Sequence, residues 1–214
     1  MPAPHTPFAF PPEGPRWTDV PADRLETAPY LQICEVVALA GDNVINRGTG
    51  WLSEPGIVAT AAHVLYGADS CIVRWSGSQP SHRATSIELH PDYGPGRNSS
   101  EVDVAKVSDV PTPFAPLGRR SQPATLVKAV GFQHGVLVEH EGPAKVVAGY
   151  LAHDADTYAG HSGCPLLVGD RVIALHVGTA VATLRHLSAS QRRQFDTLNS
   201  GILIRPPLTA FLYS

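Results

Sequence analysis

Hydrophobic positions along the chain fall into short β-favouring runs. The runs are Leu31–Leu39, Val44–Ser53, Gly56–Ala61, Cys71–Trp75, Thr85–Leu89, Val102–Val107, Leu126–Phe132, Val136–His140, Lys145–Ala152, Pro165–Val168, Arg171–Gly178 and Gly201–Ile204. Turn formers separate them: Gly41-Asp42-Asn43, Glu54-Pro55-Gly56, His90-Pro91-Asp92, Gly94-Pro95-Gly96 and Gly169-Asp170. Strands recurring at roughly ten-residue intervals predict a sandwich or barrel rather than βαβ units.

One stretch departs from this rhythm. Leu184, Leu187, Phe195 and Leu198 have helix-like spacing, Ser188 and Gln191 fit a capping box, and Asn199-Ser200-Gly201 supplies a stop. The pattern predicts a short helical insertion at 189–198, and a last helical turn or two over Pro206–Tyr213. Residues 1–28 are expected to be an extended, Pro-rich leader lying over the surface or partly disordered. No internal repeat is evident.

Composition narrows the function classes. At 214 residues the chain can bury a sizeable core. Its formal net charge is −3 with no basic stripe, which argues against nucleic acid as the main partner. No apolar run reaches about 18 residues, so no transmembrane helix is expected. The N-terminus has neither a basic n-region nor an uninterrupted apolar h-region, and does not read as a signal peptide. Cys34, Cys71 and Cys164 are odd in number and lack CxxC spacing. They read as reduced thiols in a cytoplasmic protein, with a Cys34–Cys71 bridge as the pairing left open. The histidines form no HExxH or Cys/His ligand cluster, so neither a metal nor another cofactor is expected.

Three segments carry chemistry: ATAAHVL at 59–65, SEVDVAKV at 100–107 and YAGHSGCPLL at 158–167. Each alone is weak. A histidine after a small-residue strand is often structural, an Asp before an apolar run is often a cap, and Gly-x-Ser-Gly is often only a turn. Their joint order, His…Asp…Ser, is more informative. An α/β-hydrolase elbow needs Gly-x-Ser-x-Gly and the order Ser…Asp…His, whereas Cys164 stands at the last position here. A serine hydroxyl needs a base within hydrogen-bond reach and a third group to orient that base. His63 is the candidate base, Asp103 the orienter and Ser162 the nucleophile, with Asp109 the next acid in line.

The set GTGWLSEPGIVATAAHVL, DVAKV, DTYAGHSGCPLL and VIALHVG resembles the trypsin-like, chymotrypsin-fold serine peptidases, and among them the bacterial glutamyl endopeptidase or V8-like branch. The likeness runs from about Ile33 to Leu212. It implies an all-β fold of two packed six-stranded antiparallel barrels, about 29–115 and about 122–214. The site would lie in the cleft between them, with His63 and Asp103 from the first barrel and Ser162 from the second. It also implies an oxyanion hole made by the backbone N–H groups of Gly160 and Ser162. Departures are visible. His161 replaces the acid that pairs with a newly cut N-terminus in animal trypsin-like enzymes, so that switch cannot operate here. Cys164 replaces a common glycine and reads as a small buried hydrophobe.

The resemblance therefore implies an intracellular serine endopeptidase with a protein or peptide substrate, and an activating or target partner protein as an effector setting. The alternative is a catalytically silent peptidase-fold module that binds a partner. For primary specificity, Thr157, His176 and Thr179 match pocket positions of the glutamyl branch, implying cleavage after Glu, with Asp second. An imidazole and two hydroxyls can bind a carboxylate without burying a permanent cation in the empty pocket. Asp156 speaks against this assignment, because trypsin carries its pocket acid at that position.

Overall fold

The computed structural model describes residues 16–94, 101–122, 124–180, 188, 198–206 and 208–213. Its first half supplies β2 (Ile33–Ala40), β3 (Asn43–Glu54), β4 (Ile57–Thr60), α1 (Ala62–Leu65), β5 (Ser70–Trp75), β6 (His82–Ala84), β7 (Ile87–Leu89) and β8 (Ala105–Val107), preceded by the two-residue β1 (Thr18–Asp19). The second half supplies β9 (Leu126–Gln133), β10 (Val136–Val147), β11 (Tyr150–His153), β12 (Pro165–Val168), β13 (Arg171–Thr179), β14 (Asn199–Leu203) and α2 (Leu208–Leu212).

The strands form two antiparallel sheets. In the second, β9, β10, β11, β14, β13 and β12 close into a six-stranded ring, and β1 adds to the outside of β10. In the first, the order is β6-β5-β2-β3-β4-β8-β7, and the two end strands are joined through Thr85 and Ser86 rather than by a ladder. The architecture is the expected pair of barrels, with the fifth strand of the first barrel broken into β6 and β7. Strand β2, rich in β-branched residues, is buried along nearly its whole length. It lines the first barrel and also contacts β9 of the second, so neither face is left in water. Trp51, Ile33 and Leu52 are fully buried in the same core.

Two departures from the sequence reading have clear causes. Lys145–Ala152 is not one strand: β10 runs on to Val147, and the chain reverses at Ala148 and Gly149, both at positive φ. Gly142 and Pro143, which fall between two of the apolar runs, mark the place where β10 changes partner. Pro143 is the last residue paired with β9, and Ala144 the first paired with β11. A proline at a ladder end deprives no partner of a hydrogen bond. The short β1, β6 and α1 have too few residues to leave a periodic signal. The C-terminal helix forms as expected, with Leu208 and Leu212 buried and Phe211 against His90 of the first barrel. The insertion helix expected at 189–198 lies outside the described residues apart from Leu198. No helix among the described residues is long and apolar enough to cross a membrane.

All three cysteines are free and buried. The β2–β5 register sets Cys71 opposite Ala38 and Cys34 opposite Trp75, so the two thiols are not cross-strand partners.

Candidate active site

The chain segment ATAAHVL ends β4 and turns into α1, which carries His63 with 23% of its side chain accessible. Asp103 sits just before β8, almost buried. Its carboxylate takes two hydrogen bonds from His63: the backbone N–H to Oδ1 at 2.8 Å, and Nδ1 to Oδ2 at 2.7 Å. Burial opposes a charged imidazole, but the Asp103 charge and hydrogen bond outweigh it and raise the His63 pKa above its ordinary value. The His63 carbonyl is held in turn by Asn46 Nδ2 at 3.0 Å. Asp109 is exposed, at positive φ, and is not among the hydrogen-bond partners of His63.

Ser162 lies in the turn between β11 and β12, partly accessible. Two glycines shape that turn. Gly160 has φ +106°, and a side chain there would collide with the Phe132 carbonyl. Gly163, at φ +85°, lies against the start of α1, where a Cβ would stand 2.6 Å from the Ala61 nitrogen. The turn is thereby set against the His63 helix. Contact is equally close at Gly48 of β3, where a Cβ would meet Val64 at 2.6 Å and the Ser162 carbonyl at 2.7 Å. Among the described residues the Ser162 hydroxyl makes no hydrogen bond, including none to His63. Such bonds often tighten only when substrate binds. Neither the Gly160 nor the Ser162 backbone N–H donates to a described partner. A cleft of about 660 Å³ opens beside Gly160 and runs past Gly48 toward Arg47 and His134.

Thr49 is a positioning residue that sequence reasoning missed. It is fully buried on β3. Its N–H donates to the Ser162 carbonyl at 2.9 Å, and its hydroxyl donates to the Gly160 carbonyl at 2.7 Å. The same hydroxyl accepts from the Phe132 N–H at 2.8 Å. No pattern in the sequence marks one threonine in a strand as a bridge between barrels.

Of the candidate pocket residues, His176 is the one bonded directly to this turn. His176, on β13, is buried, and its backbone binds the turn on both sides: its carbonyl accepts from Gly163 N–H, and its N–H donates to the Cys164 carbonyl. Its Nδ1 lies 3.3 Å from Nε2 of buried His153. Thr157 is buried, and its hydroxyl has no partner among the described residues. Thr179 ends β13 opposite Asn199. His161 points inward beneath Gly131, where a Cβ would come within 2.5 Å of its ring, and its Nδ1 accepts from Tyr158 N–H at 2.8 Å. No group of three or more metal-ligating side chains occurs among the described residues.

Burial holds these three histidines neutral. It lowers His161 to about 4 and His153 to about 3, and drives His176 well below 6.5, with the neighbouring imidazoles adding to the effect at His176. Unfolded, each would titrate near 6.5. Folded pKa values are depressed, so this contribution to stability is present above about pH 6.5 and is lost as pH falls toward 4, where the unfolded chain binds the extra protons. The melting temperature is expected to fall by roughly 10 °C between pH 7.5 and 4.5 in a thermal melt. A flat profile would contradict neutral burial.

In sequence the chain matches no protein-family model and no curated protein. In fold it is similar to solved serine proteases. A Glu endopeptidase in complex with MPD superposes with a TM-score of 0.73 at 18% identity, covering 93% of this chain and 95% of that one. A human pathogenic astrovirus serine protease gives 0.58 at 20% identity, covering 84% and 93%. A serine endoprotease from Yersinia pestis gives 0.63 at 15%, covering 91% of this chain and 64% of that one. The fold is the chymotrypsin-like double barrel.

Proposed function

We propose that this double-barrel chain is a serine endopeptidase that works through an acyl-enzyme. The observation that carries the reading is Asp103 binding both the N–H and Nδ1 of His63, beside the glycine turn that bears Ser162. Ser162 Oγ attacks the peptide carbonyl carbon and passes its proton to His63 Nε2. The resulting oxyanion is stabilised by the N–H groups of Gly160 and Ser162, each worth about 3–4 kcal/mol in known cases. His63 then protonates the leaving amine, and water, activated by the same base, hydrolyses the ester. Labelling by a fluorophosphonate probe, abolished in Ser162→Ala, tests this against a silent partner-binding module. Full-length protein is expected to react without prior N-terminal cleavage.

Cleavage after Glu, with Asp second, is the specificity that the pocket favours. Neutral His176 can donate one hydrogen bond to a substrate carboxylate, and Thr157 brings an unpartnered buried hydroxyl. The fold likeness to a Glu endopeptidase supports the same reading. A peptide library varied at the residue before the cleaved bond is expected to favour Glu at least tenfold over Gln, and His176→Ala to erase most of that preference. Preference for Lys, Arg or large apolar residues would overturn it. Three unpaired, buried thiols favour a reducing compartment, in line with a cytoplasmic enzyme acting on a partner protein.

A further inference from the structure

Next to Thr157 is a charge arrangement that the proposed reaction does not use. Arg16, ahead of β1, closes over the loop that follows β11. Its backbone N–H donates to Asp156 Oδ2 at 2.8 Å, Nε to Asp156 Oδ1 at 3.1 Å, and Nη2 to the same oxygen at 2.6 Å. Nη1 and Nη2 also reach the Asp154 carboxylate at 3.2 Å, and Nη2 the Asp154 carbonyl at 2.9 Å. The Asp156 side chain is only 10% accessible, while the Arg16 side chain that covers it is 38% accessible. The strap is also anchored just after Arg16. Trp17 packs against Tyr158 with ring centroids 6.0 Å apart, and Thr18 pairs with Glu139 of β10.

The loop itself is rigid. Asp154 N–H donates to the Pro143 carbonyl, Asp156 N–H to His140 Nδ1, and the Ala155 carbonyl accepts from Asn199. Gly142 admits it: a Cβ there would come within 2.5 Å of the Ala155 nitrogen. The Asp156 backbone is therefore held in place. Left bare, its carboxylate would stand one residue from Thr157 and oppose an acidic side chain in the pocket, which is the arrangement that suits Lys or Arg. His140 does not offset it, because burial holds that imidazole toward the neutral form.

We propose that Arg16 is a specificity-determining positioning residue: by neutralising Asp156 beside Thr157, it keeps the pocket open to a substrate carboxylate and closed to a cation. The proposal rests on the Glu-directed reading of the pocket. Restoring one negative charge within about 10 Å of a substrate carboxylate is worth roughly tenfold in binding.

The test compares kcat/KM for matched peptides carrying Glu, Gln or Lys before the cleaved bond, in full-length wild type, Arg16→Gln, Asp156→Asn and the double variant. Arg16→Gln is expected to lower the Glu/Gln ratio about tenfold and to raise Lys/Gln, with turnover of the Gln peptide within about twofold of wild type. Asp156→Asn is expected to raise Glu/Gln, and the double variant to return it close to wild type. An unchanged ratio in Arg16→Gln overturns the proposal. So does a fall in Glu/Gln in Asp156→Asn, because a clamp with only a structural role would be broken by either change. Asp156→Asn also decides the matter if Arg16→Gln does not fold. The wild-type Glu/Gln ratio separately tests the Glu reading, while the change in ratio on mutation tests Arg16.

Discussion

Replacing Ser162 by alanine is expected to lower kcat/KM for peptide hydrolysis by about a millionfold, and adding His63→Ala to that variant should lower it little further. The attacking oxygen and its base act as one unit, so removing either abolishes the nucleophilic route and leaves only the contribution of oxyanion donors and binding. The fold should survive. The Ser162 hydroxyl makes no described hydrogen bond, while its carbonyl remains anchored to the Thr49 N–H in the alanine variant. A melting temperature within a few degrees of wild type, with no probe labelling, is the expected pair of results. Residual hydrolysis above about 1% would show that another group is the nucleophile.

Asp103→Asn is expected to cost about ten-thousandfold in kcat, through the tautomer of His63. An asparagine amide can donate to Nδ1, leaving the proton on Nε2, where the lone pair is needed to accept from Ser162. The same variant has a signature in pH. Activity requires neutral His63, so the acid limb of kcat/KM in wild type is expected to have its midpoint above about 6.5, because Asp103 raises the imidazole pKa despite burial. Asparagine removes the raising charge and leaves the opposing effect of burial, so the limb should move to lower pH as the maximum rate falls. A pH–rate profile with an unmoved limb would mean that Asp103 is not the group that governs His63.

Much of the fold was legible because a strand buried on one or both faces announces itself in a short apolar run ended by Gly, Pro or Asp. The runs at 31–39, 44–53, 71–75 and 171–178 needed nothing else. What was not legible depends on contacts between distant segments. Gly142-Pro143 looks locally like a break, yet it lies within β10, where the strand trades one neighbour for another. His63, Asp103 and Ser162 could be singled out as candidates because the proposed chemistry demands those residue types in that order. Arg16 and Thr49 were not, since each matters through partners more than 80 positions away. The Asp156 that argued against an acid-binding pocket was seen without the guanidinium that covers it.

Thr49 ties the chemistry to cooperativity. One hydroxyl on the first barrel holds the carbonyl of Gly160 and the N–H of Phe132 on the second, so the shape of the oxyanion turn is a property of the docked pair rather than of either half. Parting the barrels removes the Thr49 hydrogen bonds to Gly160 and Ser162 from the turn, while those to the His176 backbone remain. Hydrolysis by such a molecule reports the population of the fully assembled state, and a partially unfolded form that kept one barrel intact would be proteolytically inert.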